Sequence, residues 1–323
     1  MRDAPPRPLL VTGMPRSGTS WTGRMLEFSG RVVYVNEPMN PGHPPGRSPG
    51  VLAADVEHQF QYIADGLDAT FLPAFQDTAR LRYRPVAELR RNSGPYDVAR
   101  MVKYAMAFGL GRRLGRRAMF DDPYAVLCTA WFAQRLGADV VVLIREPAAV
   151  VSSWLRFGWD MNFDELLHQP QLMADHLEPF REDLEHSRDS DALGRVALLW
   201  NVLYSVVQAM GAVTPQIRVI RHEDLAADPL RGFGHLYAEL GLPLTDEGAR
   251  SITRATSGGD DGGRPLSWSF AGGLPSRTGF QRQDSRRAAT SWRSRLSAEQ
   301  MTRIRSITAP VRDSYYPTAP STG

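Results

Sequence analysis

The sequence predicts an α/β protein, three layers with helices on both faces of a central parallel sheet, and three observations carry that reading. Leu9-Leu10-Val11-Thr12 is a short apolar run that ends in a glycine-framed loop and passes straight into a helix. Asp139-Val140-Val141-Val142-Leu143-Ile144 is continuous and β-branched, without alternation, as expected of a parallel strand covered on both faces. Further strand-like runs are separated by stretches of helical spacing, which is the order of a βαβ protein rather than of a hairpin protein. A chain of 323 residues can bury a substantial core, and 1–323 is read as a single domain without repeats.

Composition narrows the function classes. The formal net charge of +3 is small for this length, so a dedicated nucleic-acid binder is not expected. Lys103 is the only lysine, and the remaining positive charge is arginine. Arginine suits bidentate phosphate recognition, although a GC-rich genome produces the same bias without selection. One cysteine, Cys128, excludes an internal disulfide framework and a cysteine metal cluster, fits a reducing compartment, and sits in apolar helical surroundings as a buried thiol. Met1 to Pro8 is polar and proline-rich, and no later stretch is expected to reach the roughly twenty apolar residues of a membrane span. The expectation is a soluble cytoplasmic protein.

Taken in order, the first strand leads into Gly13-Met14-Pro15-Arg16-Ser17-Gly18-Thr19-Ser20, then a helix from Trp21 to Leu26. A strand, tight loop and helix N-terminus collect unpaired backbone N–H groups where the helix dipole favours negative charge, so the loop is a P-loop-like phosphate site. The spacing from Gly13 to Gly18 matches G-x-x-x-x-G-K-[ST], but Thr19 stands where the lysine belongs, and Arg16 supplies the nearby cation instead.

Arg31 to Asn36 is the second strand and delivers Glu37-Pro38 at its carboxyl end, where open α/β sheets bind ligands. Glu37 is either a partly desolvated general base or a surface carboxylate capping the next turn. Pro38 to Gly50 is a loop, and 38–115 reads as a largely helical insertion beside the carboxyl ends of the strands. Arg112, Arg113, Arg116 and Arg117 make a basic cluster, either a solvated helix end or a contact for an anionic substrate or lipid surface.

Ala118-Met119-Phe120 is a third strand, and Asp121-Asp122-Pro123 opens a helix from Tyr124 to Leu136 with Asp122 as its cap. The strand ending at Ile144 is followed by Arg145-Glu146-Pro147 and a helix. Arg145 leaves the strand tip and Ser153 lies two turns along that helix, so both can face one phosphate. Residues 162–213 are helical, with Trp200 and Tyr204 in a core helix. Ile217 to Ile220 is a late strand, followed by His222, read as structural, and by Glu223 and Asp224 as charges at a helix start. Asp228-Pro229 opens another helix, which Leu240-Gly241 ends. Residues 257–291 are rich in glycine, serine and arginine, among them Arg277, Arg282, Arg286 and Arg287, and read as a linker or a lid. Trp292 is expected to pack, ahead of a terminal helix near Ser297. Asp121 and Asp122 are the only acids near a strand end that could suggest Mg²⁺, and no metal is expected.

Pro15-Arg16-Ser17-Gly18-Thr19-Ser20, together with Arg145 and Ser153 eight residues later, resembles the two phosphate motifs of sulfotransferases that use 3′-phosphoadenosine 5′-phosphosulfate (PAPS), in the branch that includes carbohydrate and tyrosylprotein enzymes. The resemblance implies that Arg16, Ser17, Gly18, Thr19 and Ser20 hold the 5′-phosphosulfate, that Arg145 and Ser153 hold the 3′-phosphate, and that Glu37 is the base. It also implies that the late basic segment closes over the nucleotide, with Arg277 as the first contact, and that no metal is required. The family often has Lys-Asp-Pro where this chain has Asp121-Asp122-Pro123, and tyrosine where it has His222. The expected acceptor is a hydroxyl on a small molecule, lipid or glycan in a bacterial cell. A P-loop kinase with arginine replacing lysine, and a non-catalytic nucleotide-binding protein of the same fold, stand as alternatives.

Overall fold

A computed structural model of the chain describes residues 6–42, 56–91, 95–257 and 290–317. Five strands, β1 (Leu9–Thr12), β2 (Val32–Asn36), β3 (Arg117–Asp121), β4 (Asp139–Ile144) and β5 (Ile217–Arg221), form a sheet in the order β2-β3-β1-β4-β5. Every neighbouring pair is parallel, so all five carboxyl ends share one edge.

The period of two along each strand sorts the core into two layers. Leu9 and Val11 of β1, with Val141 and Leu143 of β4, face α1 (Thr19–Glu27) and the Pro229–Glu239 helix, whose Phe233, Leu236 and Tyr237 fill that side. Leu10, Val140, Val142 and Ile144 face the other way. They meet α5 (Thr129–Arg135), α6 (Pro147–Phe157) and the Ala192–Val213 helix, which contribute Phe132, Trp154, Trp200 and Tyr204. The expected three layers are present. The insertion after β2 holds α2 (Phe71–Ala79), α3 (Pro85–Arg91) and α4 (Pro95–Arg113).

Helix boundaries follow the caps the sequence offers. Asp228 accepts a hydrogen bond from the Arg231 N–H at 3.2 Å, and the helix it opens stops where Gly241 takes φ 63°. Ser297 and Gln300 form a reciprocal capping box at the start of the Ala298–Tyr315 helix.

Three expectations need correction. The helix expected over 124–136 begins as a 3₁₀ turn, Pro123–Cys128, and becomes α-helical only at Thr129. The Asp122 carboxylate accepts from the Tyr124 N–H two residues on, at 3.0 Å, a local bond that favours the tighter turn. The Ala192–Val213 helix is, by length and composition, apolar enough to cross a membrane, but most of it is buried inside the protein. Its apolar residues serve both the sheet and the last helix, which explains a breadth greater than one packing face needs. Arg112 and Arg113 are the exposed helix end expected, whereas Arg117 is tied down, donating to the Leu240 carbonyl at 2.6 Å and to Asp139 at 2.5 Å. Cys128 is buried as expected, and burial pushes its thiol up to about 12.

Candidate active site

The strand register brings the sequence-predicted residues to one edge. Val11 pairs with Asp121 on one side and Val141 on the other, and Asp121 pairs with Asn36. Glu37 and Gly13 therefore leave the sheet at the same level, two strand spacings apart, or about 10 Å. Thr12 pairs with Val142, so β4 runs two residues further and carries Arg145 out beside the loop that follows β1.

That loop folds tightly. Gly13 and Gly18 have φ of 143° and 106°, and Arg16 is itself left-handed at 79°. A Cβ at Gly18 would sit 2.5 Å from His222 Nδ1, so position 18 is closed to any side chain. The Ser17 N–H donates to the Met14 carbonyl at 3.0 Å, and the first turn of α1 starts at Thr19, leaving its leading N–H groups at the loop.

Arg16, Arg145 and Ser153 meet. Arg16 Nε donates to Ser153 Oγ at 3.0 Å, and Arg145 Nη1 donates to the Arg16 backbone carbonyl at 3.1 Å. The Arg16 guanidinium also lies over the Phe157 ring, 4.7 Å from its centre. Burial, with Arg145 and Arg156 close by, lowers Arg16 from its ordinary value to about 10. Burial lowers Arg145 too, against the pull of Glu223. Cations held together out of water make a site in want of an anion, and the residues present fit a phosphorylated nucleotide.

Sequence reasoning missed what holds this arrangement. Tyr204, read as plain core, accepts from the Met14 N–H at 3.2 Å and donates to the Leu143 carbonyl at 2.7 Å, joining the loop to the end of β4. Trp154 Nε1 donates to the Pro15 carbonyl at 2.8 Å, and Trp200 Nε1 to the Arg145 carbonyl at 2.9 Å. Buried tyrosine and tryptophan need polar partners, which was the one available signal. Glu223 is more than a helix-start charge: it accepts from the Glu146 N–H at 3.0 Å and the Tyr316 hydroxyl at 2.8 Å. Glu146 in turn is paired with Arg312, Nε to Oε1 at 3.0 Å.

Glu37 lies on the β2 side with φ 40°, its N–H bonded to the Asp121 carbonyl at 2.9 Å. Asn40 Nδ2 donates to Glu37 Oε2 at 2.7 Å. Burial raises the Glu37 carboxyl above its usual range, with the Asn40 bond opposing. Asp122 accepts from the Met39 N–H at 2.5 Å as well as from Tyr124, so it fixes the Glu37 loop in addition to capping. Asp121 turns beneath α1, where the Tyr34 hydroxyl donates to it and a Cβ on Gly23 would be 3.0 Å from Oδ2. Burial raises Asp121 to about 7. His222 is buried edge-on to Trp21, and burial followed by Arg145 holds its imidazole well below the ordinary value. Trp292 packs partly buried against the core. Arg277 and the rest of 258–289 lie outside the described residues. Among the described residues, no group of three or more His, Cys, Asp or Glu side chains is placed to hold a metal ion.

A family model described as the sulfotransferase family matches residues 8–246. Carbohydrate sulfotransferase 2 of Mus musculus and of Homo sapiens are each 24% identical over 196 residues, covering 56% of this chain and 35% of theirs. The match thus spans about a third of the length of these curated relatives. Among solved structures, the sulfotransferase domain from the curacin biosynthetic pathway aligns over 93% of this chain and 96% of that one, at 15% identity and a TM-score of 0.46. The corresponding domain of a Synechococcus olefin synthase aligns over 99% and 98%, at 16% identity and a TM-score of 0.45.

Proposed function

Because the chain belongs to the sulfotransferase family, we propose that it moves a sulfuryl group from PAPS to a hydroxyl of a small-molecule, lipid or glycan acceptor, by in-line displacement with Glu37 as the base. The observation that supports it most is the meeting of Arg16, Ser153 and Arg145 at the adjoining tips of β1 and β4. ATP has no 3′-phosphate, and a kinase would leave that second set of groups without a use. When bound, PAPS supplies the activated sulfuryl group and a bisphosphate leaving group.

In this reading the N–H groups of Gly18, Thr19 and Ser20 and the Arg16 guanidinium hold the 5′ end and face the charge that develops on the bridging oxygen, while the Ser17 N–H keeps the loop closed on the Met14 carbonyl. They are fixed beforehand by Tyr204 and Trp154, so little reorganisation is left for the reaction. Arg145 and Ser153 hold the 3′-phosphate. Glu37, across β3 from the loop, takes the acceptor proton; its buried carboxyl is a stronger base than a solvated one, and Asn40 aims it. Arg277 would add a contact from the late basic segment. The single buried thiol supports a reducing, cytoplasmic setting, and the packing of the last helix on the Ala192–Val213 core helix supports one domain throughout.

The test is calorimetric binding of adenosine 3′,5′-bisphosphate against ADP, without metal, on the wild type and Arg145→Ala. Tighter binding of the bisphosphate, with the preference lost in the variant, is expected. Equal binding of ADP, or binding only with Mg²⁺, makes the kinase the better account.

A further inference from the structure

The insertion carries a surface that the nucleotide site does not use. Along α4, Val98, Val102, Met106 and Leu110 recur every fourth residue, and Leu114 continues the series past the helix end. Residues four apart on a helix stack into one ridge. Each of these five side chains is between 41% and 69% exposed. The core contacts of α4 come from elsewhere on it: Met101 and Phe108 are buried, and a Cβ on Gly111 would lie 2.3 Å from Val33 Cγ2. Val86 and Leu89 of α3 are exposed as well. A helix apolar on both sides is ordinarily covered on both.

The charge of the same region is lopsided. Residues 85–116 hold seven Arg and Lys against two acids, while the whole chain nets only +3, so the remainder of the chain is net negative. Arg90, Lys103, Arg112 and Arg113 are exposed. We propose that the exposed α3–α4 face docks the protein on an anionic lipid surface, the Val98–Leu114 ridge entering the acyl boundary and the flanking cations meeting the headgroups. Apolar anchors set among arginines are the composition such a surface selects. Two copies joined ridge to ridge would instead bring both cationic margins together, with two acids per copy to offset them. Gly111 packs near the start of β2 and the chain then enters β3, so α4 runs against the strands. Its first turns point toward the edge that carries Glu37, and docking would set that edge near the bilayer.

The experiment is co-sedimentation of the full chain with phosphatidylcholine vesicles and with mixed phosphatidylcholine–phosphatidylglycerol vesicles, at low and raised salt. The wild type is expected to bind the anionic vesicles only, and less at raised salt. Val102→Glu with Met106→Glu should reduce binding at least about tenfold. Both positions are exposed, so thermal unfolding and bisphosphate binding should be unchanged, and those readouts show that the variant folds. Absence of wild-type binding to anionic vesicles, or equal binding by the variant, overturns the proposal. So does a wild-type dimer that the same variant converts to monomer while vesicles are ignored. Nucleotide preference is read on the same samples, so a failure of docking and a failure of the sulfuryl-transfer reading are separate results.

Discussion

Arg16 Nε lies 3.0 Å from Ser153 Oγ, which ties the loop after β1 to the second turn of α6. The two motifs proposed to hold phosphate thus share a hydrogen bond of their own. Ser153→Ala should therefore do two things: remove a phosphate contact and release Arg16. A hydrogen bond to a charged group contributes about 1.5–3 kcal/mol, so the affinity for adenosine 3′,5′-bisphosphate should fall by about tenfold or more. ADP affinity should fall less. Titration calorimetry with both nucleotides separates the two losses, and an equal loss for both would mean that Ser153 acts only through Arg16.

Glu37→Gln keeps the shape and the Asn40 contact while removing the proposed base. Turnover should drop by about 10² or more with nucleotide affinity intact. Because burial raises the Glu37 carboxyl, the acidic limb of the wild-type pH profile should lie above that of an ordinary glutamate. The limb should vanish in the variant; a variant with full turnover would remove Glu37 from the chemistry.

Tyr204→Phe deletes one oxygen that serves two buried backbone groups, the Met14 N–H and the Leu143 carbonyl. Leaving such groups unpaired costs about 1–3 kcal/mol each, and the loss falls on the phosphate loop. Thermal unfolding should shift downward and nucleotide affinity should weaken together. A loss of stability with unchanged affinity would show that the loop keeps its shape by other means.

Asp121 sets a pH dependence of stability. Its folded value of about 7 is above the unfolded value, so its contribution is fully present below about pH 4 and is lost as the pH rises through about 7. Three units correspond to about 4 kcal/mol at most. Asp121→Asn should flatten the fall of the unfolding temperature between about pH 5 and 7. Parallel curves for the two proteins would mean that the carboxyl is not the proton holder.

The strands, the loop after β1 and the strand tip that carries Arg145 were legible because they are local: an unalternating apolar run, a glycine-framed turn, an arginine where a strand ends. Caps such as Asp122 and Asp228 were legible for the same reason. The supports of the site were not. Nothing near Tyr204, Trp154 or Glu223 in the sequence marks the backbone groups they serve, which lie between 61 and 190 positions away. Helical spacing also cannot tell the covered side of α4 from its exposed ridge, since both are apolar. The departure from the family's lysine at Asp121 gave no sign of its partner, Tyr34, on another strand.

The links between Glu146 and Arg312 and between Glu223 and Tyr316 bear on when the site is made. The Met14 loop waits for a tyrosine 190 residues later, and the turn after Arg145 waits for an arginine 166 residues beyond Glu146. On the ribosome the first half of the chain emerges well before either partner. The proposed nucleotide site is thus among the last parts to be completed during synthesis, and a nascent chain that still lacks its final helix is expected to bind adenosine 3′,5′-bisphosphate more weakly than the finished protein.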